Sequence, residues 1–229
     1  ADSGYIYLAS NHPGLTVDII QKSSLPFTQT GTFNASGSDE GVSVFAANTS
    51  LGYTGFVTAG DKLYSFDLSS KTGPRPQYGS VSLAGDGKKV VILGNYAYVA
   101  TSSTTSQLQI FNISNPRSMS LAGSLNTGNS LGGIDVYVGG SGTYAYLVTS
   151  YAVGKPDVFI VNIQNPQSPV LAGSTTTSGM NPKGVIAVSG NHVVVGGSGG
   201  QQYQVFIVNA NGVPSYCGGM SPPNVTSVN

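Results

Sequence analysis

Charge is scarce in this sequence. Nine Lys and Arg stand against nine Asp and Glu, 8% of 229 residues, where an average soluble protein carries about 25%. That even balance leaves no net field to draw in nucleic acid or anionic lipid, and neither is expected as a partner. One cysteine, Cys217, excludes an internal disulfide, and no CxxC or CxxCH spacing offers a metal or haem site. Cys217 is expected as a small buried or half-buried side chain. Tryptophan is absent. Even the longest apolar run is short, Val90-Val91-Ile92-Leu93, so membrane insertion is not expected. No charged n-region with an apolar h-region opens the chain, so any signal peptide is expected to have been removed already. GxSxG, HExxH, P-loop and EF-hand patterns are all missing. GGSGG at 196–200 lacks the Lys and the following helix that phosphate cradling needs. No catalytic residue, metal or cofactor is expected.

What fills the polar positions is Gly, Ser, Thr and Asn, a balance that suits exposed β-structure on a cell surface or in a secreted protein. The same phrases also recur. NISNPRSMSLAGS (112–124) returns as NIQNPQSPVLAGS (162–174), with nine of thirteen letters unchanged. The apolar run before each Asn recurs too: LQIFNI (108–113), VFIVNI (158–163), VFIVNA (205–210), LYSFDL (63–68) and, more weakly, GLTVDI (14–19). The anchors Asp18, Asp67, Asn112, Asn162 and Asn209 are 49, 45, 50 and 47 residues apart. A period of that size means a solenoid, a propeller or an array.

Each copy keeps one internal order. GKKVVILGNYAYVATS (87–102) holds two short apolar runs split at Gly94-Asn95; LQIFNI follows, then a turn at Asn115-Pro116, then SLAGS (120–124). Runs of four to six residues, rich in Val, Ile and Tyr and bounded by Gly, Asn and Pro, read as four strands per repeat. No stretch sustains a helical period. VFIV is apolar at consecutive positions, as a strand covered on both faces can be. Stacked four-stranded sheets repeated about an axis provide that cover. The expectation is an all-β protein, a five-bladed β-propeller of four-stranded antiparallel blades in one domain (1–229). Its repeats fall at about 1–33, 41–82, 87–124, 132–174 and 182–220. The Asp or Asn closing each third strand is expected to order the turn by accepting backbone N–H groups.

The frame GVIAVSGNHVVV…VFIVNIQNPQSPVLAGS resembles the LVIVD-repeat β-propellers, named for the third-strand run and its Asp. The resemblance implies a secreted or surface-attached bacterial or archaeal protein and supplies no catalytic residues. This chain departs from it in placing Asn for Asp in three repeats.

The first repeat opens at its second strand, GYIYLAS (4–10). Residues 221–229, through Val225 and Val228, are expected to supply the missing innermost strand and close the ring, since a bare edge is a liability. The same segment could instead enter a neighbouring chain by strand addition.

The longer links, at 10–14, 34–41, 103–107, 126–133, 150–157 and 178–184, are expected on one loop-rich face, where binding tends to reside. His12, Asp39, Glu40, Tyr151, Lys155, Asp157 and Lys183 are the candidate binding residues there. The pairs Tyr5/Tyr7, Tyr96/Tyr98 and Tyr144/Tyr146 are expected to pack between blades with their hydroxyls reaching polar turns, rather than to form a carbohydrate platform. His192 stands where other second strands have Tyr and is expected to pack. Of four sequons, Asn34 and Asn48 are the candidate glycosylation sites, because Asn112 serves a turn and Asn224 lies near the closing strand.

The expected function is a non-enzymatic extracellular structural or interaction module of a cell surface, with a protein or glycan partner. The alternatives are a glycan- or peptide-binding propeller, a self-assembling filament subunit joined by C-terminal strand exchange, or an enzyme.

Overall fold

Twenty strands form between residues 4 and 221 of the computed structural model, which describes 4–12, 14–23, 25–36, 40–139, 141–189 and 191–221. No helix occurs among the described residues. Val225, Val228 and the expected closing strand lie outside them.

Five four-stranded sheets result. The first joins β1 (Tyr5–Ala9), β2 (Val17–Gln21) and β3 (Thr28–Phe33) to β7 (Gly73–Pro74). β7 pairs parallel with β3, so the outer slot of this sheet is filled by two residues from the following repeat. The second holds β4 (Gly41–Thr49), β5 (Gly52–Ala59), β6 (Lys62–Asp67) and β8 (Gln77–Ser82). The third holds β9 (Gly87–Leu93), β10 (Tyr96–Thr101), β11 (Leu108–Asn112) and β12 (Ser120–Leu125). The fourth runs β13 (Gly133–Val138), β14 (Tyr144–Thr149), β15 (Val158–Asn162) and β16 (Val170–Thr175). The fifth runs β17 (Asn181–Val188), β18 (His192–Ser198), β19 (Tyr203–Val208) and β20 (Pro214–Met220).

Two compact units partition the chain: residues 1–99 with 111–121, and residues 100–110 with 122–229. In the first unit, Val17, Ile19 and Phe33 pack with Val57, Tyr64 and Phe66 of the second sheet. The Phe33 and Phe66 rings stack at 4.2 Å. A further cluster joins Phe56 and Leu63 to Val90, Val99 and Phe111. In the second unit, Tyr146, Val148, Val158 and Ile160 pack with Val185, Val193 and Phe206. All of this is apolar area removed from water, the main force holding sheet on sheet.

Consecutive apolar residues on a third strand do mean cover on both faces in the middle sheets. Leu63–Phe66, Leu108–Phe111 and Val158–Val161 are buried without alternation. β19 differs: Gln204, Phe206 and Val208 are buried while Ile207 is exposed. Among the described residues of its unit, the fifth sheet is therefore covered on one face, despite its VFIV.

Four of the five anchors act as the turn chemistry requires. Asp67, Asn112 and Asn162 accept the backbone N–H two residues on, at 2.8, 2.9 and 3.0 Å. Asn209 accepts from Asn211 and Val213, each at 3.0 Å. Asp18 does not. It lies inside β2 and accepts from the Gln29 side chain. The strand-closing place there belongs to Gln21, because Lys22 N donates to Gly4 O as Leu68 N does to Tyr53 O and Ile163 N to Thr143 O. The weak GLTVDI match put the anchor three residues early. Asn162→Ala, which leaves the Gln164 N–H without its acceptor, is expected to cost about 1 kcal/mol in urea unfolding. An unchanged midpoint would deny the turn this role.

Candidate functional site

The loops that precede and follow the third and fourth strands are pinned by one repeated device. Thr16, Gln107 and Asp157 occupy equivalent places, since their carbonyls accept Ser10, Thr101 and Thr149 N–H, each at 3.0 Å. Each side chain then takes the backbone N–H two residues beyond the end of its fourth strand, β3, β12 or β16. Thr16 Oγ1 accepts from Ala35 at 2.9 Å, Gln107 Oε1 from Thr127 at 3.1 Å, and Asp157 Oδ1 from Thr177 at 2.7 Å. In the fifth sheet Gln204 Oε1 accepts from Ser178 at 3.2 Å. Asp157 Oδ2 also accepts from Thr177 Oγ1 at 2.6 Å. Burial pushes the Asp157 carboxyl up, against the Thr177 hydrogen bonds that hold it down.

Asn129 ties the loops of the second unit together. It is buried, accepts from Thr127 Oγ1 and Leu131 N at 2.8 and 3.0 Å, and donates to Thr149 Oγ1 and Pro156 O at 2.8 and 2.9 Å. Lys155 Nζ donates to Asn129 O at 2.9 Å. The result is a polar network running from residue 126 to 157 whose groups satisfy one another.

A second repeated lock joins neighbouring sheets. A bulge follows the start of β4 and of β13, at Gly41/Ser43 and Gly133/Asp135. Ser43 Oγ accepts Val90 N at 3.2 Å, and Asp135 Oδ2 accepts Val185 N at 2.8 Å. Ser43 and Asp135 are thus one position of the repeat, with the same task.

The candidate binding residues divide accordingly. His12, Glu40 and Lys155 are exposed on loops, and Tyr151 is half-buried. Lys183 is exposed but lies on β17 rather than in a loop. Asp157 is fully buried, so its carboxylate shapes the loops from beneath instead of facing a ligand. Asp39 lies outside the described residues. Among the described residues no three His, Cys, Asp or Glu come together as a metal site. Asn129, Gln107, Gln204 and Asp135 escaped the sequence reading: Asn129 and Gln107, in Ser/Thr-rich loops, look like ordinary turn residues, and Gln204 lies inside β19. Asp135, inside the apolar run IDVYV, is the one whose setting could have marked it.

Tyr7, Tyr98 and Tyr146 are buried, and Tyr144 Oη donates to Ala210 O at 2.9 Å, the packing arrangement expected of the pairs. Cys217 is exposed, contrary to expectation. It sits on β20, beside the exposed Tyr216. Two cavities lie on the fifth sheet. One of about 300 Å³ is lined by Asp135, Lys183, Ile186, Val194 and Tyr203. The other, of about 480 Å³, is lined by Val194, Tyr203, Val205, Cys217 and Met220.

No curated protein matches the sequence significantly. Among solved structures, a protein from Lactobacillus plantarum is 14% identical with a TM-score of 0.80, covering 98% of this chain and 70% of its own. A functionally unknown protein from Desulfotomaculum acetoxidans is 15% identical with a TM-score of 0.72, covering 94% of this chain and 66% of its own. The Cps50 (Swd1) β-propeller domain of Myceliophteria thermophila is 13% identical with a TM-score of 0.64, covering 93% and 70%. This chain thus spans about two thirds of their length, and at such identities the likeness is one of fold. Residues 84–127 and 134–177 match the LVIVD repeat. With five four-stranded sheets and the fold of those neighbours, the chain is a β-propeller that carries LVIVD repeats at 84–127 and 134–177.

Proposed function

We propose that the chain is a non-enzymatic, extracellular structural or interaction module of a cell surface, and that its long loops contact a protein or glycan partner. The observation that carries this reading is the loop network centred on Asn129. Loops whose polar groups already satisfy one another keep their shape before a partner arrives, which lowers the ordering cost of binding. The carboxylates beneath them, Asp135 and Asp157, are engaged by backbone N–H groups, which favours binding over proton-transfer chemistry. The low charge supports placement outside the cell, as do the exposed sequon residues Asn34 and Asn48.

Protease treatment of intact source cells is expected to remove the protein. Protein isolated from those cells is expected to exceed its sequence mass by glycan at Asn34 or Asn48. Survival of the protein at unmodified mass would overturn the extracellular reading. The purified chain is expected to bind isolated cell envelopes, and Asn129→Ala to weaken that binding about tenfold, equivalent to ~1.4 kcal/mol of lost loop order. Equal binding by the variant would remove the loops from the contact.

A further inference from the structure

Backbone pairing marks one equivalent place in four repeats. Leu68 N donates to Tyr53 O, Ile113 N to Asn95 O, Ile163 N to Thr143 O and Val208 N to Asn191 O, at 2.9, 2.9, 3.0 and 2.9 Å. Pairing rather than spelling sets the place in the fifth repeat, since His192 stands opposite Ile207 where Tyr144 stands opposite Asn162. Leu68, Ile113 and Ile163 fill that place and are buried. Val208 is one methylene shorter, and beside it lies a cavity of about 170 Å³.

The cavity lies between the fourth and fifth sheets, within the second unit, and its lining includes Thr143, Tyr144, Tyr146, Asn191, Val208 and Asn209. These come from turns and strand ends away from the long loops. Among the described residues no charged side chain lines it. Tyr144 is held by its hydroxyl, which donates to Ala210 O at 2.9 Å. Tyr146 is not so held. It is only 9% exposed, and burial, with Tyr144 and Tyr137 beside it, raises its hydroxyl pKa. Among the described residues no hydrogen bond acts on that hydroxyl. A polar group so far from water normally has a partner, and this residue lines an open cavity. Asn209 Oδ1 is taken by Asn211 N and Val213 N, which leaves its Nδ2 to donate.

We propose that this cavity binds one neutral pyranose residue, with the Tyr146 hydroxyl as its buried hydrogen-bonding group. The chemistry of the lining selects the class. Hydroxyls and amides both give and take hydrogen bonds, as the vicinal hydroxyls of a sugar do. A charged ligand would lose its water without meeting a counter-charge. The tyrosine rings offer apolar surface to the C–H face of a sugar ring. Pockets for drug-sized ligands begin at about 300 Å³, so about 170 Å³ suits a single ring. The site stands apart from the long loops, and the inference does not rest on the function proposed for them.

The test titrates the chain with methyl glycosides of neutral hexoses and N-acetylhexosamines, with glucuronate as the charged control, read by saturation-transfer NMR. At least one neutral glycoside is expected to bind saturably, and glucuronate is not. A trisaccharide ending in the same residue separates two sources: tighter binding assigns the end of a glycan, equal or weaker binding the free sugar. Tyr146→Phe removes only the hydroxyl and is expected to weaken binding about tenfold. Its urea midpoint is expected at or above that of wild type. Val208→Ile restores the methylene that Ile113 and Ile163 carry, and is expected to abolish binding without loss of stability. Failure of every neutral glycoside to bind overturns the proposal, as does undiminished binding by either variant. A lowered midpoint for Tyr146→Phe overturns it too, because the hydroxyl would then be satisfied within the chain.

Discussion

Gly123→Val is expected to lower the unfolding free energy by about 3 kcal/mol or more, the upper end of overpacking costs. The atoms in the way are Pro166 O at 2.4 Å and Pro169 Cδ at 2.9 Å from the new Cβ. One is backbone and the other part of a proline ring, so neither swings aside as a flexible side chain would. Relief requires β12 to part from the turn after β15, which exposes the apolar contacts between the two sheets. The urea midpoint measures this, with Gly218→Val as the control, because among the described residues nothing lies within 4 Å of where a Cβ at Gly218 would be. A Gly123→Val midpoint equal to that control would show that the close approach relaxes freely.

Asp67→Ala is expected to cost about 3 kcal/mol. Asp67 accepts from Ser69 N at 2.8 Å and Tyr78 Oη at 3.0 Å, and it pairs with the Arg75 guanidinium. Both side chains of the pair are only 11% exposed. Removing the carboxylate takes the counter-charge from a largely covered guanidinium, which keeps only the Asp67 and Thr72 carbonyls, and the acceptor from Ser69 N and Tyr78 Oη, which is worse than losing one surface ion pair. Burial raises the Asp67 carboxyl, but the hydrogen bonds from Ser69, Tyr78 and Arg75 outweigh it and bring its pKa down from 3.8 to about 2. A carboxylate held lower in the folded chain stabilises above its ordinary value and loses that stabilisation as pH falls. The advantage of wild type over Asp67→Asn is therefore expected to shrink between 3.8 and about 2. After allowance for solvent screening, that portion is roughly 1–2 kcal/mol. A wild-type advantage independent of pH in that window would assign the stability to packing alone.

Local chemistry was legible in the repeats. An Asx at the end of a third strand orders the next turn through bonds spanning two to four residues, and Asp67, Asn112, Asn162 and Asn209 could be read without a fold. Asp18 misled because the first repeat is the most diverged, and a four-residue apolar match does not fix strand register. Asp157 looked like a loop carboxylate beside Lys155. Its partner, Thr177, lies twenty residues on, across a strand and a turn, and no local pattern announces that pairing.

By itself the sequence determined the period, the four strands of each repeat, the turn chemistry and the apolar faces, because these depend on residues close in the chain. Tertiary structure decided which faces are covered. Val205 to Val208 repeat the letters of Val158 to Val161, yet one run is buried throughout and the other alternates. Burial is a property of the neighbouring sheet, not of the strand. Likewise only packing shows that Gly31, Gly79, Gly123 and Gly173 are each met by the backbone of a turn from the following repeat.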